Sequence, residues 1–217
     1  LNHLGIEARF FKVDINLKPG LEEIEELIDS KTRAVLAVNY FGFSTTNCEI
    51  KEICRRNGLF FIEDNAHGFL SKDKEKALGT FGDISIFSLR KTLGTPNGAA
   101  LVVNNSKINP EKNSLDIAGS NDVIYFLRQI KQRLELFVEL KVMKSSERYF
   151  KKRYPVFPIA GRPEEEKNIE RYFIRQSGLT KIFLRRINIS EMANNRREGF
   201  RYWLEHLPEG EPVFREL

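Results

Sequence analysis

Hydrophobic and polar positions in the first half of the chain repeat with two different periods. Arg9 to Val13 is a short run with β-type patterning. Pro19-Gly20 then opens an amphipathic helix to about Ile28, in which Leu21, Ile24, Leu27 and Ile28 recur at helical spacing with acids between them. Arg33 to Val38 (RAVLAV) is an almost unbroken apolar run, which predicts a strand covered on both faces. Thr46 or Asn47 can cap the next helix, which reaches Arg56 and stops at Asn57-Gly58. Leu59 to Ile62 is a second buried strand and ends in Glu63-Asp64. A polar loop follows, then two further strands, Ile84 to Ser88 and Ala99 to Val103. Apolar strands alternating with helices predict an α/β fold, a mostly parallel sheet flanked by helices. Ligands of such sheets gather at the carboxyl ends of strands, and Tyr40, Asp64 and Lys91 all fall just beyond such ends.

The second half is patterned differently. Val123 to about Lys144 reads as a long helix with Phe126, Ile130, Leu134, Phe137 and Leu140 on its buried stripe. Tyr154 to Pro163 reads as a loop, and Glu164-Glu165-Glu166 as the acidic start of a helix. Ile189 to Leu207 is another helix, its apolar face carried by Met192, Phe200, Trp203 and Leu204. These long helices suit packing and subunit contact better than chemistry. The opening residues read as the end of a helix running straight into a strand. That implies a piece of a longer protein, truncated at one or both ends.

Composition narrows the classes. With 217 residues, 41% of them hydrophobic, the chain can bury a core. It has no uncharged apolar run of membrane-spanning length and no secretory-type N-terminal segment. Cys48 and Cys54 form neither a C-x-x-C motif nor a disulfide framework, so a reducing cytoplasm is expected. The net charge of +5 comes with no zinc-finger spacing, RNP-type aromatic motif or basic zipper, so nucleic acid is not the expected partner. Solvated surface charge, or an anionic small substrate, accounts for it.

Candidate chemistry sits between Phe60 and Asn104. A strand-end acid, Asp64, is followed by a lysine on an extended segment beyond a later strand, Lys91. Pyridoxal 5'-phosphate needs just such groups. A lysine condenses with its aldehyde, and a carboxylate keeps its ring nitrogen protonated. By itself the pair is weak, because a strand-end Asp is often a cap and a loop Lys is usually solvated.

The surrounding wording is more specific. The segments Ile62-Glu63-Asp64-Asn65-Ala66-His67-Gly68, Gly79-Thr80-Phe81-Gly82-Asp83, and Phe87-Ser88 with Lys91, Gly98 and the strand to Val103 follow one another in that order. Asn39-Tyr40-Phe41-Gly42 precedes them. Together they resemble the DegT/DnrJ/EryC1/StrS family of nucleotide-sugar aminotransferases, over roughly residues 5 to 105. The resemblance implies the three-layer large domain of a fold-type-I pyridoxal-phosphate enzyme. It places an incomplete cofactor-binding large domain at 1–180 and the start of a truncated small domain at 181–217. It also implies roles: Lys91 holds the cofactor and shuttles the proton, Asp64 pairs with the ring nitrogen, and His67 contacts the ring or its 3-hydroxyl. Ser88 reaches the phosphate, and Tyr40 lines the substrate pocket.

An exposed loop histidine, a strand-end turn serine and a core tyrosine are the ordinary alternatives for the last three. An amino-acid donor (glutamate by resemblance), a nucleotide-linked keto-sugar acceptor and a homodimer are implied in the same way. Two departures matter. Pro96-Asn97-Gly98-Ala99 replaces the family's usual acid-containing Gly turn, and the family's phosphate cradle and ring-stacking aromatic belong N-terminal to this region. A catalytically degenerate or regulatory relative stays open as an alternative. So does a sugar dehydratase, although the family's dehydratases carry histidine where Lys91 stands.

Overall fold

In the computed structural model, residues 4–44, 46–93, 95, 98–110, 127, 131 and 178–206 are described. The predicted helix over 123–144, the loop over 154–163 and the acidic helix start at 164–166 lie outside them, apart from the isolated positions Leu127 and Lys131.

The first half folds as an α/β unit. Helix α1 (Leu21–Glu26) leads into strand β1 (Ala34–Val38), a single 3-10 turn at Tyr40–Gly42, helix α2 (Asn47–Asn57) and strand β2 (Phe60–Asp64). The polar loop after β2 holds a small antiparallel ribbon, β3 (Lys72–Asp73) and β4 (Lys76–Ala77). Strand β5 (Ile84–Ser88), the short helix α3 (Leu89–Leu93) and strand β6 (Ala99–Val103) complete it. The four long strands form one sheet in the order β1-β2-β5-β6. The pairs β1–β2 and β2–β5 are parallel and β5–β6 is antiparallel, a mostly parallel sheet as expected. Further along, α4 (Gly178–Arg186) and α5 (Ile189–His206) are helical.

The sheet's two faces are treated differently. Val35, Ala37 and Phe61 pack with Ile24 of α1 and Ile50, Ile53 and Cys54 of α2 into one buried cluster. Burying a valine, isoleucine or phenylalanine side chain in this way stabilises by about 1.5–3 kcal/mol each. On the other face Leu36, Phe60 and Ile86 are each more than 40% exposed. RAVLAV was expected to be covered on both faces; within the described residues its burial alternates, because side chains of a strand point to opposite sides and only one side carries α1 and α2.

Three further expectations are corrected. Arg9 to Val13 forms no strand; the segment makes one isolated bridge, Val13 to Pro19, around a turn held by Asp14. Thr46 is the N-cap residue of α2 but makes no side-chain capping bond, and Asn47 turns its amide inward instead. Lys91 lies in α3, not on an extended segment. In α5 the helix read from the sequence is present, with Met192, Phe200 and Leu204 half-buried and Trp203 62% exposed.

Candidate functional site

The register of the sheet brings the predicted residues to one edge. Val38 pairs with Asp64, and Asp64 with Ile86, so β1, β2 and β5 end together. The chain continues past those ends with Tyr40, with Asn65 to His67, and with Lys91 in α3. Ser88 closes β5 opposite Ala99. Lys91 and His67 are exposed, whereas Tyr40, Asp64 and Ser88 are half-buried. All five predicted residues therefore share the carboxyl end of the parallel strands.

Asp64 and Glu63, neighbours in sequence, point to opposite faces. Asp64 lies on the same face as Leu36, Ile62 and Ile86, and its Oδ1 accepts the Ala66 N–H at 2.9 Å. Glu63 is fully buried on the helix-covered face. Its Oε1 accepts the backbone N–H of Phe81 and of Gly82 and the Ser85 hydroxyl, at 2.8, 2.5 and 3.0 Å. Its Oε2 accepts the Gly79 N–H at 2.9 Å and Asn65 Nδ2 at 3.1 Å. The Gly79-to-Gly82 segment thus wraps a carboxylate. Gly79 sits at φ +93°, and a Cβ there would meet the Phe87 ring at 2.3 Å, so only glycine lets the segment close.

The Glu63 hub extends through amides. Asn65 Oδ1 accepts Asn39 Nδ2 at 2.7 Å, and Asn39 Oδ1 accepts Asn47 Nδ2 at 3.1 Å. Backbone bonds run beside it, Asn39 N–H to the Asp64 carbonyl and Asn65 N–H to the Ile86 carbonyl, at 2.9 and 2.8 Å. The ends of β1, β2 and β5 are riveted together just behind Asp64. Asn47 Oδ1, at the far end of the chain of amides, is buried with no hydrogen-bond partner among the described residues, while the bonds around Glu63 and Asn65 fix the geometry of the edge.

Two aromatic rings stand in front of it. Phe41 stacks on His67 with ring centroids 6.0 Å apart and planes at 27°. At Gly42 (φ +90°) an added Cβ would meet Ser71 Oγ at 2.8 Å and the His67 carbonyl at 2.9 Å, so this turn is seated directly on the His67 loop. One residue after Lys91, the Thr92 carbonyl in α3 accepts from the Arg196 guanidinium of α5.

Sequence reading singled out Asp64, Lys91, His67, Ser88 and Tyr40, and missed Glu63, Asn65, Asn39, Phe41 and Arg196. Glu63 had a usable signal, an acid at the core-facing parity of an apolar strand, where burial is affordable only with several donors. The rest depend on contacts between segments distant in sequence. As a donor set, the edge suits pyridoxal phosphate. It offers a primary amine, a carboxylate with one oxygen already held, an imidazole and a hydroxyl, which match an aldehyde, a ring nitrogen, a phenolic oxygen and a phosphate oxygen.

Among the described residues no group of His, Cys, Asp and Glu could hold a metal ion, and no helix is long and apolar enough to cross a membrane.

Comparison with known proteins bears on this edge. The sequence profile of the DegT/DnrJ/EryC1/StrS aminotransferase family matches residues 1–133. The chain is 40% identical over 91 residues to GDP-perosamine synthase of Escherichia coli O157:H7, covering 41% of this chain and 25% of that protein. It is 32% identical over 87 residues to the UDP-4-amino-4,6-dideoxy-N-acetyl-beta-L-altrosamine transaminase of Helicobacter pylori, covering 39% of this chain and 23% of that one. It is also 29% identical over 111 residues to GDP-4-keto-6-deoxy-D-mannose 3-dehydratase of Escherichia coli O55:H7, covering 50% and 29%. The chain spans about a quarter of the length of the curated relatives it matches.

Proposed function

Because this chain belongs to the DegT/DnrJ/EryC1/StrS aminotransferase family, we propose that it is part of a pyridoxal-phosphate-dependent enzyme that moves an amino group from an amino acid, with glutamate the expected donor, to a nucleotide-linked keto-sugar. The observation that carries the proposal is the shared strand edge inside the matched region, where a carboxylate ends β2 and a lysine follows the end of the adjacent parallel strand β5, in α3.

When bound, pyridoxal phosphate supplies an electron sink for the carbon that loses its proton. Lys91 presents its Nζ from α3 for covalent attachment, and the same nitrogen afterwards takes and returns that proton. Asp64, with Oδ1 held by the Ala66 amide, has Oδ2 left to hold the proton of the ring nitrogen. His67 and Ser88 supply polar contacts to the ring oxygen and the phosphate. A sugar dehydratase would need another general base in place of the lysine, so Lys91 favours amino transfer. A homodimer working in the cytoplasm completes the proposal, on family resemblance.

The test uses the full-length protein. An absorbance band near the visible edge, removed by borohydride and lost in Lys91→Ala, is the expected result. Glutamate should then convert the band to the amine form of the cofactor. A band that persists in Lys91→Ala would move the covalent attachment elsewhere, and a wild-type protein with no band at all would overturn the proposal.

A further inference from the structure

We propose that Phe41 contacts substrate directly: its ring, stacked on His67, is a ledge for the sugar ring of the nucleotide-linked acceptor. This inference rests on the aminotransferase reading and deepens it. Phe41 follows the end of β1, where Asn39 N–H bonds the Asp64 carbonyl, so it belongs to the same edge as the candidate catalytic pair. Its backbone is left-handed, at φ +56° and ψ 10°. A bulky side chain reaches that region only under backbone strain. Burial does not offset the cost, because Phe41 is 68% exposed. The fold would be served at lower cost by glycine at that position.

What the strained turn achieves is placement. Gly42 seats it on His67 and Ser71, and the phenyl ring is then held against the imidazole at 6.0 Å. Two stacked rings, one of them mostly open, present an electron-rich face of the kind that receives the C–H face of a pyranose. The sugar is the favoured occupant over the nucleobase. The reacting carbon belongs to the sugar and must come to this edge, whereas the base lies two phosphates further away.

The experiment takes full-length, cofactor-loaded protein and the variants Phe41→Ala and Phe41→Gly. Affinities are measured for GDP-mannose, UDP-N-acetylglucosamine and dTDP-glucose, each against its own nucleoside diphosphate, alongside the cofactor absorbance band and the melting temperature. The expected result is a sugar nucleotide that wild type holds more tightly than the matching diphosphate. Phe41→Ala then weakens that sugar nucleotide about tenfold, with the diphosphate and the cofactor band unchanged. Phe41→Gly shows the same loss yet melts higher than wild type, because the left-handed strain is relieved. Equal weakening of sugar nucleotide and diphosphate would overturn the sugar assignment. An unchanged ratio and unchanged affinities, with an intact cofactor band, would overturn the ledge and leave the aminotransferase reading standing. A wild-type protein that shows the band but prefers no sugar nucleotide overturns the ledge together with the proposed acceptor, and one without the band overturns the reading itself.

Discussion

Glu63 and Asp64 carry the same functional group one peptide bond apart, and the sheet between them gives them opposite work. On the face packed by α1 and α2, Glu63 is fully buried and every bond it makes is accepted from a donor of the protein itself. On the other face, Asp64 is half-buried and accepts one bond at Oδ1, from the N–H of Ala66 in the turn beside it. A carboxylate whose donors are all internal serves the fold, whereas one left with acceptor capacity at a strand edge can serve a ligand. On the proposed reading, the two faces thus divide scaffold from chemistry.

Substituting the two acids is the sharpest way to break that comparison. Glu63→Ala strands the buried N–H groups of Gly79, Phe81 and Gly82, each costing about 1–3 kcal/mol when left unpaired. The expected loss is on the order of 5 kcal/mol, comparable with the whole stability of a marginal domain. Glu63→Gln should fall between, because its amide nitrogen would face the Gly79 N–H and the Asn65 amide, donor against donor, while its oxygen keeps the other partners. Asp64→Asn can still accept the Ala66 N–H and should shift stability by no more than about 0.5 kcal/mol. Yet it cannot hold a proton on a ring nitrogen, and amino transfer should drop by about 10²-fold or more. Urea unfolding and single-turnover absorbance separate the two outcomes. A Glu63→Ala protein with wild-type stability, or an Asp64→Asn protein that unfolds as easily as Glu63→Ala, would erase the division.

Much of the fold, and the place of Asp64, was legible in the sequence; the part played by Glu63 was not. The strand positions of RAVLAV, LFFI and the segment before Lys91 followed from runs of apolar residues, and their common edge followed from strand–helix alternation. That alternation placed Asp64 and Lys91 together before any coordinates. What the sequence hid is what depends on neighbours in space. RAVLAV reads as covered on both faces because its composition is apolar throughout, but which face α1 and α2 occupy is settled by their packing on Val35, Ala37 and Phe61. Tyr40 was singled out from the strand-end aromatic-Gly segment, and Phe41 beside it was not. The left-handed turn at Phe41 is a backbone fact, carried by Gly42 and the His67 loop, with no local signature. Lys91 was read on an extended segment just beyond β5, whereas Leu89 and Leu93 are buried at helical spacing.

Cysteines sharpen the comparison at a smaller scale, since Cys54 belongs to the buried cluster while Cys48, on the same helix, is exposed. Burial is the main cause that pushes the Cys54 thiol up to about 11 from an ordinary 9.0, with the nearby Asp83 charge adding to it. Above the ordinary value an unfolded chain releases this proton and the folded chain keeps it. Stability should therefore fall as pH rises from about 9 toward 11, by at most about 2.5 kcal/mol. Replacing Cys54 by Ala should remove that slope, so the stability gap between wild type and variant narrows with rising pH. Thiol labelling in native buffer should modify Cys48 and spare Cys54. Equal labelling rates would show that the helix-covered face opens readily.

The smallest expected effect belongs to a pair on neither face, which makes it the control. Asp29 holds the turn after α1. Its Oδ1 accepts the backbone N–H of Lys31 and of Thr32, at 2.8 and 3.0 Å, and its Oδ2 meets the Arg9 guanidinium at 2.5 Å. The hydrogen bond from Arg9, then the Lys31 N–H, hold this carboxyl well below the usual carboxylate range. A depressed acid stabilises the fold above its ordinary value near 3.8, and the contribution drains away as pH falls below that, once unfolded chains take up the proton first. Asp29→Asn keeps the turn's acceptor and loses only the ion pair. The wild type should thus be slightly the more stable at pH 6, and the gap should close in the acid range and shrink in high salt, because both partners face water. A gap that instead matched the Glu63→Gln loss, and held in high salt, would mean that the acid's surroundings matter less than its hydrogen bonds. The contrast between buried scaffold and open edge would then need a different cause from burial.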